Sequence, residues 1–176
     1  MKIKLPNTRL SHNMGKASIE DLIKAIKDDH KDLKKFIKTM KSDDATDAKK
    51  HEAAEHFMSL LKSHAPSEEK ALYERCLEVP KLRVMADEGY VEHHMADALM
   101  KKISSTRNHD RWLAEVKVLG EIVEHHIKEE EEEFLPKVKK HFRAKKKEDM
   151  ASKFLALRKR SQKKVTDDNA GVLRSL

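Results

Sequence analysis

A motif that occurs twice constrains this chain most. His64-Ala-Pro-Ser-Glu68-Glu69 leads into Leu72-Tyr73, and His126-Ile-Lys-Glu129-Glu130-Glu131 leads into Phe134-Leu135, 62 residues further on. Each copy reads histidine, three residues, two glutamates, then a pair of large apolar residues at offsets eight and nine. On an α-helix, positions i and i+4 share a face about 6 Å apart. Each copy therefore aims an imidazole and a carboxylate at one point, and two such pairs on facing helices can hold two metal ions.

The apolar pattern around the motifs predicts long helices. After Ser18, with Glu20 and Asp21 suited to a helix start, Ile19, Leu22, Ile26, Leu33, Ile37 and Met40 form a stripe whose one gap is filled by His30. A second helix is expected over about 45–78, with Phe57, Leu61, His64, Glu68 and Leu72 facing inward. Pro66 inside it removes a backbone donor and is expected to kink or split it. A third follows Pro80 over about 81–105 through Leu82, Ala86, Gly89, His93, Ala96, Met100 and Ile103. The fourth, about 109–141, carries Leu113, Val116, Leu119, Val123, His126, Glu130 and Phe134, with Pro136 near its end. Four long helices with short connections predict an all-α, up-down-up-down four-helix bundle over 18–143. Residues 1–17 read as a flexible arm, and 144–176 as a basic segment with a short extra helix around 148–160 and a disordered tail.

Composition agrees. Four glycines and four prolines in 176 residues, with 39% charged, suit helices better than a sandwich or barrel. The formal charge of +7 comes from 38 basic against 31 acidic residues, interleaved along the chain, which reads as a solvated surface. The basic run Lys139 to Lys147, with Arg158-Lys159-Arg160, raises a basic interaction module as a third reading. Aromatic residues for base stacking are scarce at 5%, which disfavours nucleic acid. Cys76 is the one cysteine, so no intramolecular disulfide forms, and a reducing compartment fits. With no signal-length apolar run near Met1 and no membrane-length run anywhere, the expectation is a cytoplasmic protein without membrane contact.

Each expected helix carries a histidine inside its apolar stripe: His30, His64, His93 and His126. Glu68 and Glu130 lie one turn beyond two of them. Burying ionised carboxylates and imidazoles together is costly unless a shared cation satisfies them. The neighbours are set apart by face. His94 sides with Asp87 and Lys101, while the second motif copy selects His126 over His125. His51–Glu55 and His125–Glu129 share the spacing but read as surface pairs. The all-nitrogen-and-oxygen set suits iron or manganese and tolerates zinc, and six ligands for two ions leave room for an external ligand. If both glutamates bridge, the ions lie close together, which suits two-electron chemistry with a diatomic molecule.

These residues resemble the hemerythrin-like family, the HHE cation-binding domains, over about 18–143. The resemblance rests on Asp29-His30 with Leu33, on His64-x-x-x-Glu68-Glu69, on Glu92-His93-His94 with Leu99-Met100, and on His126-Ile-x-x-Glu130-Glu131 through Phe134-Leu135-Pro136. It implies a four-helix bundle with a non-haem di-iron centre. His30, His64, His93 and His126 would be terminal ligands, with Glu68, Glu130 and an oxo or hydroxo group as bridges. Oxygen-carrying members have a His-x-x-x-His pair in the third helix; here Gly89 and Asp97 stand four residues either side of His93. Water, Asp97 or Tyr90 would then fill the vacated ligand position. The ferritin-like alternative, marked by Glu-x-x-His, is excluded because no histidine here has glutamate three residues before it. The expected function is a di-iron protein that binds or senses oxygen, nitric oxide or peroxide, or handles iron under oxidative or nitrosative stress. Enzymatic turnover of peroxide or nitric oxide is the alternative.

Overall fold

The computed structural model describes residues 17–174, with side chains described to residue 161. The described residues are helical with short connections and contain no strand. The arm expected at 1–17 lies, apart from Ala17, outside them. The helices are α1 (Ile19–Met40), α2 (Asp47–Glu68), α3 (Glu74–Cys76), α4 (Pro80–Ile103), α5 (His109–Glu129), α6 (Leu135–His141) and α7 (Ala144–Arg174). Two single π-helical turns, Glu69–Tyr73 and Glu130–Phe134, join α2 to α3 and α5 to α6.

Local chemistry sets the ends. Ser18 and Asp21 form a capping box, the Ser18 hydroxyl accepting from the Asp21 amide at 3.1 Å and the Asp21 carboxylate from the Ser18 amide at 2.8 Å. Asn108 caps α5 through the Arg111 amide at 2.8 Å. Pro80 opens α4 at the first turn, where its missing donor costs nothing. Pro66 does not split α2: the helix runs through it to Glu68, and the irregularity comes next, as the π turn. The same irregularity follows the second motif copy.

α1 packs on α2, α5 and α7; α2 also meets α4 and α7, and α4 lies along α5. The apolar interior falls into two clusters. One gathers Leu22, Ile26, Leu72, Leu82, Phe134, Leu135 and Phe154 among others, the second Leu33, Ile37, Phe57, Leu61, Met100, Leu119 and Val123 among others. Along α1 and α4, and along α2 and α5 together with the turns that follow them, the stripe histidine lies near the changeover from one cluster to the other, so a polar layer crosses the interior between them.

α7 is longer than the helix expected around 148–160 because no proline interrupts it. It is also part of the core: Met150, Ala151, Phe154 and Arg158 recur at helical spacing and are all buried against the rest. No helix among the described residues is long and apolar enough to cross a membrane.

Candidate metal centre

All six residues singled out from the stripes lie in the polar layer, each 5% exposed or less. His94 and His125 are exposed, and His125 pairs with Glu129 at 3.3 Å on the surface. Within the layer two donor groups form, His30 with His64 and Glu68, and Glu68 with His93 and His126, each with donor atoms within 4.8 Å of one another. Glu68 belongs to both. Glu130 closes the opposite side, its Oε2 3.3 Å from His30 Nε2 and 4.0 Å from His126 Nε2.

The outer nitrogens explain the orientation of the rings. Every layer histidine has a carboxylate on Nδ1: Glu131 for His30 at 3.0 Å, Asp29 for His64 at 3.2 Å, Glu69 for His93 at 3.0 Å and Glu92 for His126 at 2.7 Å. A ring that donates its Nδ1 proton outward presents the Nε2 lone pair inward, the usual arrangement of a metal-ligating histidine. Accordingly His93 Nε2 and His126 Nε2 face each other at 3.2 Å. His30 Nε2, His64 Nε2, Glu68 Oε1 and Glu130 Oε2 are buried with no hydrogen-bond partner among the described residues. Buried, unpartnered lone pairs that converge are expensive, and a cation satisfies them together.

The electrostatics point the same way. Burial alone would lower the His64 imidazole, but the flanking Glu68 and Asp29 carboxylates raise it to about 10. His126 is also raised against its burial, by Glu92, Glu130 and Glu68. His93 is lowered, chiefly by burial. Burial would raise the Glu130 carboxyl, yet the His30, His126 and His64 imidazoles around it lower it. Without metal, the surrounding carboxylates thus favour the protonated forms of His64 and His126, and metal binding there would have to displace those protons.

The four outer carboxylates escape the sequence reading as functional groups. Their signal is adjacency repeated in both halves: Asp29-His30 matches Glu92-His93, and Glu68-Glu69 matches Glu130-Glu131. The first of each acid–histidine pair anchors a histidine of its own half. The second glutamate of each motif anchors one of the other half.

Two further residues were missed. Arg158 on α7, read from sequence as part of a basic surface, is buried and binds Asp29, through Nε to Oδ2 at 2.7 Å and through Nη2 to Oδ1. It thereby fixes the carboxylate that orients His64. Tyr73, fully buried, donates its hydroxyl to Glu130 Oε1 at 3.1 Å and has Glu68 Oε2 at 3.4 Å. The π turn explains its position. A residue five beyond Glu68 would lie about 140° around an α-helix, whereas an i to i+5 turn brings it back into line. Tyr90 and Asp97 do not enter the layer: the Tyr90 hydroxyl donates to the Glu69 carbonyl at 3.2 Å, and Asp97 pairs with Lys101 at 2.6 Å. A cleft of about 270 Å³, counting its open mouth, reaches the layer beside Tyr73, His126 and Glu130.

Residues 21–138 match the hemerythrin HHE cation-binding domain. The chain belongs to that family. No curated protein and no solved structure matches it. Membership of the hemerythrin HHE family implies cation binding, and the two buried histidine–glutamate groups of the layer could hold a metal ion.

Proposed function

We propose that this HHE domain is a di-iron protein that binds or senses oxygen, nitric oxide or peroxide through an up-down-up-down four-helix bundle over 18–143. The order of the two apolar clusters supports the topology. α1 and α4 run from the first cluster to the second, whereas α2 with α3 and α5 with α6 run from the second to the first. The observation that carries the metal reading is the layer itself: four inward Nε2 atoms, each ring held by an outer carboxylate, around two glutamates with unpartnered oxygens. In this reading His30 and His64 would hold one ion and His93 and His126 the other, with Glu68 and Glu130 shared between them.

Nitrogen and oxygen donors without thiolate suit iron or manganese and admit zinc. Cys76 is buried, and burial, with Glu130 and Glu68 nearby, pushes its thiol up to about 12, so it stays protonated. Iron would supply reversible one-electron change at each of two neighbouring positions. The chain's part is to hold the imidazoles aimed inward, to exclude bulk water with the two apolar clusters, and to admit a small molecule by the cleft beside Tyr73. A cleft this narrow at the layer suits a diatomic molecule or peroxide.

The test is the optical spectrum of the reduced, iron-loaded protein before and after exposure to oxygen and to nitric oxide. New visible bands with either gas, at unchanged iron content, are expected. A spectrum unmoved by both gases and by peroxide contradicts the reading. Steady peroxide consumption that Glu130→Ala abolishes would instead make the protein an enzyme.

A further inference from the structure

The two halves of the layer match except at one place. Counterparts lie 62 or 63 residues apart: His30 with His93, His64 with His126, Glu68 with Glu130. By the same offsets Tyr73 corresponds to Leu135, and Gly89 to Ile26. Leu135 and Ile26 are buried apolar residues, so these positions offer the His30–His64 half no oxygen or nitrogen donor. In the His93–His126 half the large side chain is withdrawn from α4, and a phenol fills the space from the π turn instead. A Cβ added at Gly89 would lie 2.7 Å from Tyr73 Cε2 and Oη and 2.8 Å from Cζ. The Tyr73 ring also stacks on His93, with centroids 5.5 Å apart and planes 20° from parallel. Its hydroxyl sits between the two glutamates that bound the layer, 3.1 Å from Glu130 and 3.4 Å from Glu68.

We infer that Tyr73 supplies a protein ligand, a phenolate oxygen, to the ion held by His93 and His126, on the side of the layer that Gly89 leaves open. The inference rests on the di-iron reading above and makes its two metal positions chemically unequal: one has only imidazole and carboxylate donors, the other a phenolate as well. The step is an exchange of partners. The Tyr73 O–H bond breaks, an O–metal bond forms, and the proton passes to solvent along the cleft that Tyr73 lines. A bound cation readily drives such a deprotonation. The metal-free contact to Glu130 then reports where the oxygen stands, and the π turn is the device that puts it there.

The experiment loads the full chain with ferric iron and records metal content, visible absorption and resonance Raman spectra. It does so for the wild type, Tyr73→Phe, Tyr90→Phe and Gly89→Ala. The expected wild-type result is two irons per chain with an intense phenolate-to-iron charge-transfer band and its ring vibrations. Tyr73→Phe, which keeps the ring that packs on Gly89, retains both irons and loses the band and the vibrations. Tyr90→Phe keeps them. In Gly89→Ala, where the new methyl displaces the Tyr73 ring, the band weakens or shifts while iron remains. Two irons without a phenolate signature, or a signature that survives Tyr73→Phe, overturns the inference and leaves the di-iron reading standing. Failure of the wild type to hold two irons overturns both.

Discussion

At the scale of single residues, the outer carboxylates decide how well the layer can bind. Glu92 holds His126 at 2.7 Å, the shortest of the four such contacts. Glu92→Gln keeps the size but weakens the acceptor, and loss of a partner of this kind typically lowers metal affinity about 10–100-fold. We expect a loss in that range in a competition titration against a chelator, with helicity unchanged. An unchanged affinity would mean that Glu92 does not orient the ring. A second residue-scale expectation concerns Cys76, whose thiol is buried and pushed up to about 12. It should resist alkylation at neutral pH until the protein is unfolded, and rapid native-state labelling would contradict its placement.

The six layer residues were legible because helical spacing puts them in the apolar stripes, where a charged group has no other reason to be. Asp29, Glu69, Glu92 and Glu131 were not, because each is the chain neighbour of a layer residue and so points away from the stripe on an ideal helix. They reach histidines on other helices, and sequence spacing carries no record of that. Tyr73 was hidden for a different reason. Its inward aim depends on an i to i+5 turn, and a reading at 3.6 residues per turn rotates it out of the site.

At the scale of elements, α7 changes most between expectation and structure. The sequence reads 144–176 as a basic segment with a short extra helix around 148–160 and a disordered tail, whereas Met150, Ala151 and Phe154 seat a longer helix on α1 and α2. Arg158 then reaches Asp29. Removing one partner of a buried ion pair leaves the other uncompensated and costs about 3–5 kcal/mol. Arg158→Ala should therefore lower the unfolding free energy by about that amount in chemical denaturation. Asp29→Asn combined with Arg158→Met, which removes both charges, should cost less. If the single and double variants lose the same stability, the pair does not link α7 to the layer. The irregular turns belong to this scale too. Pro66 and Pro136 were the visible breaks in the sequence, but α2 runs through Pro66, and the π turns that matter occupy Glu69–Tyr73 and Glu130–Phe134, which contain no proline or glycine themselves.

At the scale of the whole molecule, a charged layer between two apolar clusters makes stability depend on pH. In the metal-free protein the Glu131 carboxyl is held down at about 2, chiefly by its hydrogen bond to His30 and also by Lys34, against partial burial. Burial would raise Asp29, but His64 and Arg158 outweigh it, and its carboxyl is lowered too. Both groups are more acidic folded than unfolded. Their stabilisation is therefore fully present above the unfolded carboxylate range, about 4, and is lost as pH falls toward 2. The denaturation midpoint should fall steadily over that interval, and Glu131→Gln should flatten the slope. A wild-type midpoint that rises on acidification would contradict the sign. Acid should release metal as well, since the histidines and glutamates bind only when deprotonated.

The claim on which the rest depends is that this layer holds two irons between Glu68 and Glu130. It is tested most directly by iron and protein analysis of the full chain purified from iron-supplemented cells, alongside Glu130→Ala. The account predicts two irons per wild-type chain and a marked loss in the variant. Full occupancy by a different metal, one ion or none in the wild type, or two irons retained in Glu130→Ala would contradict it.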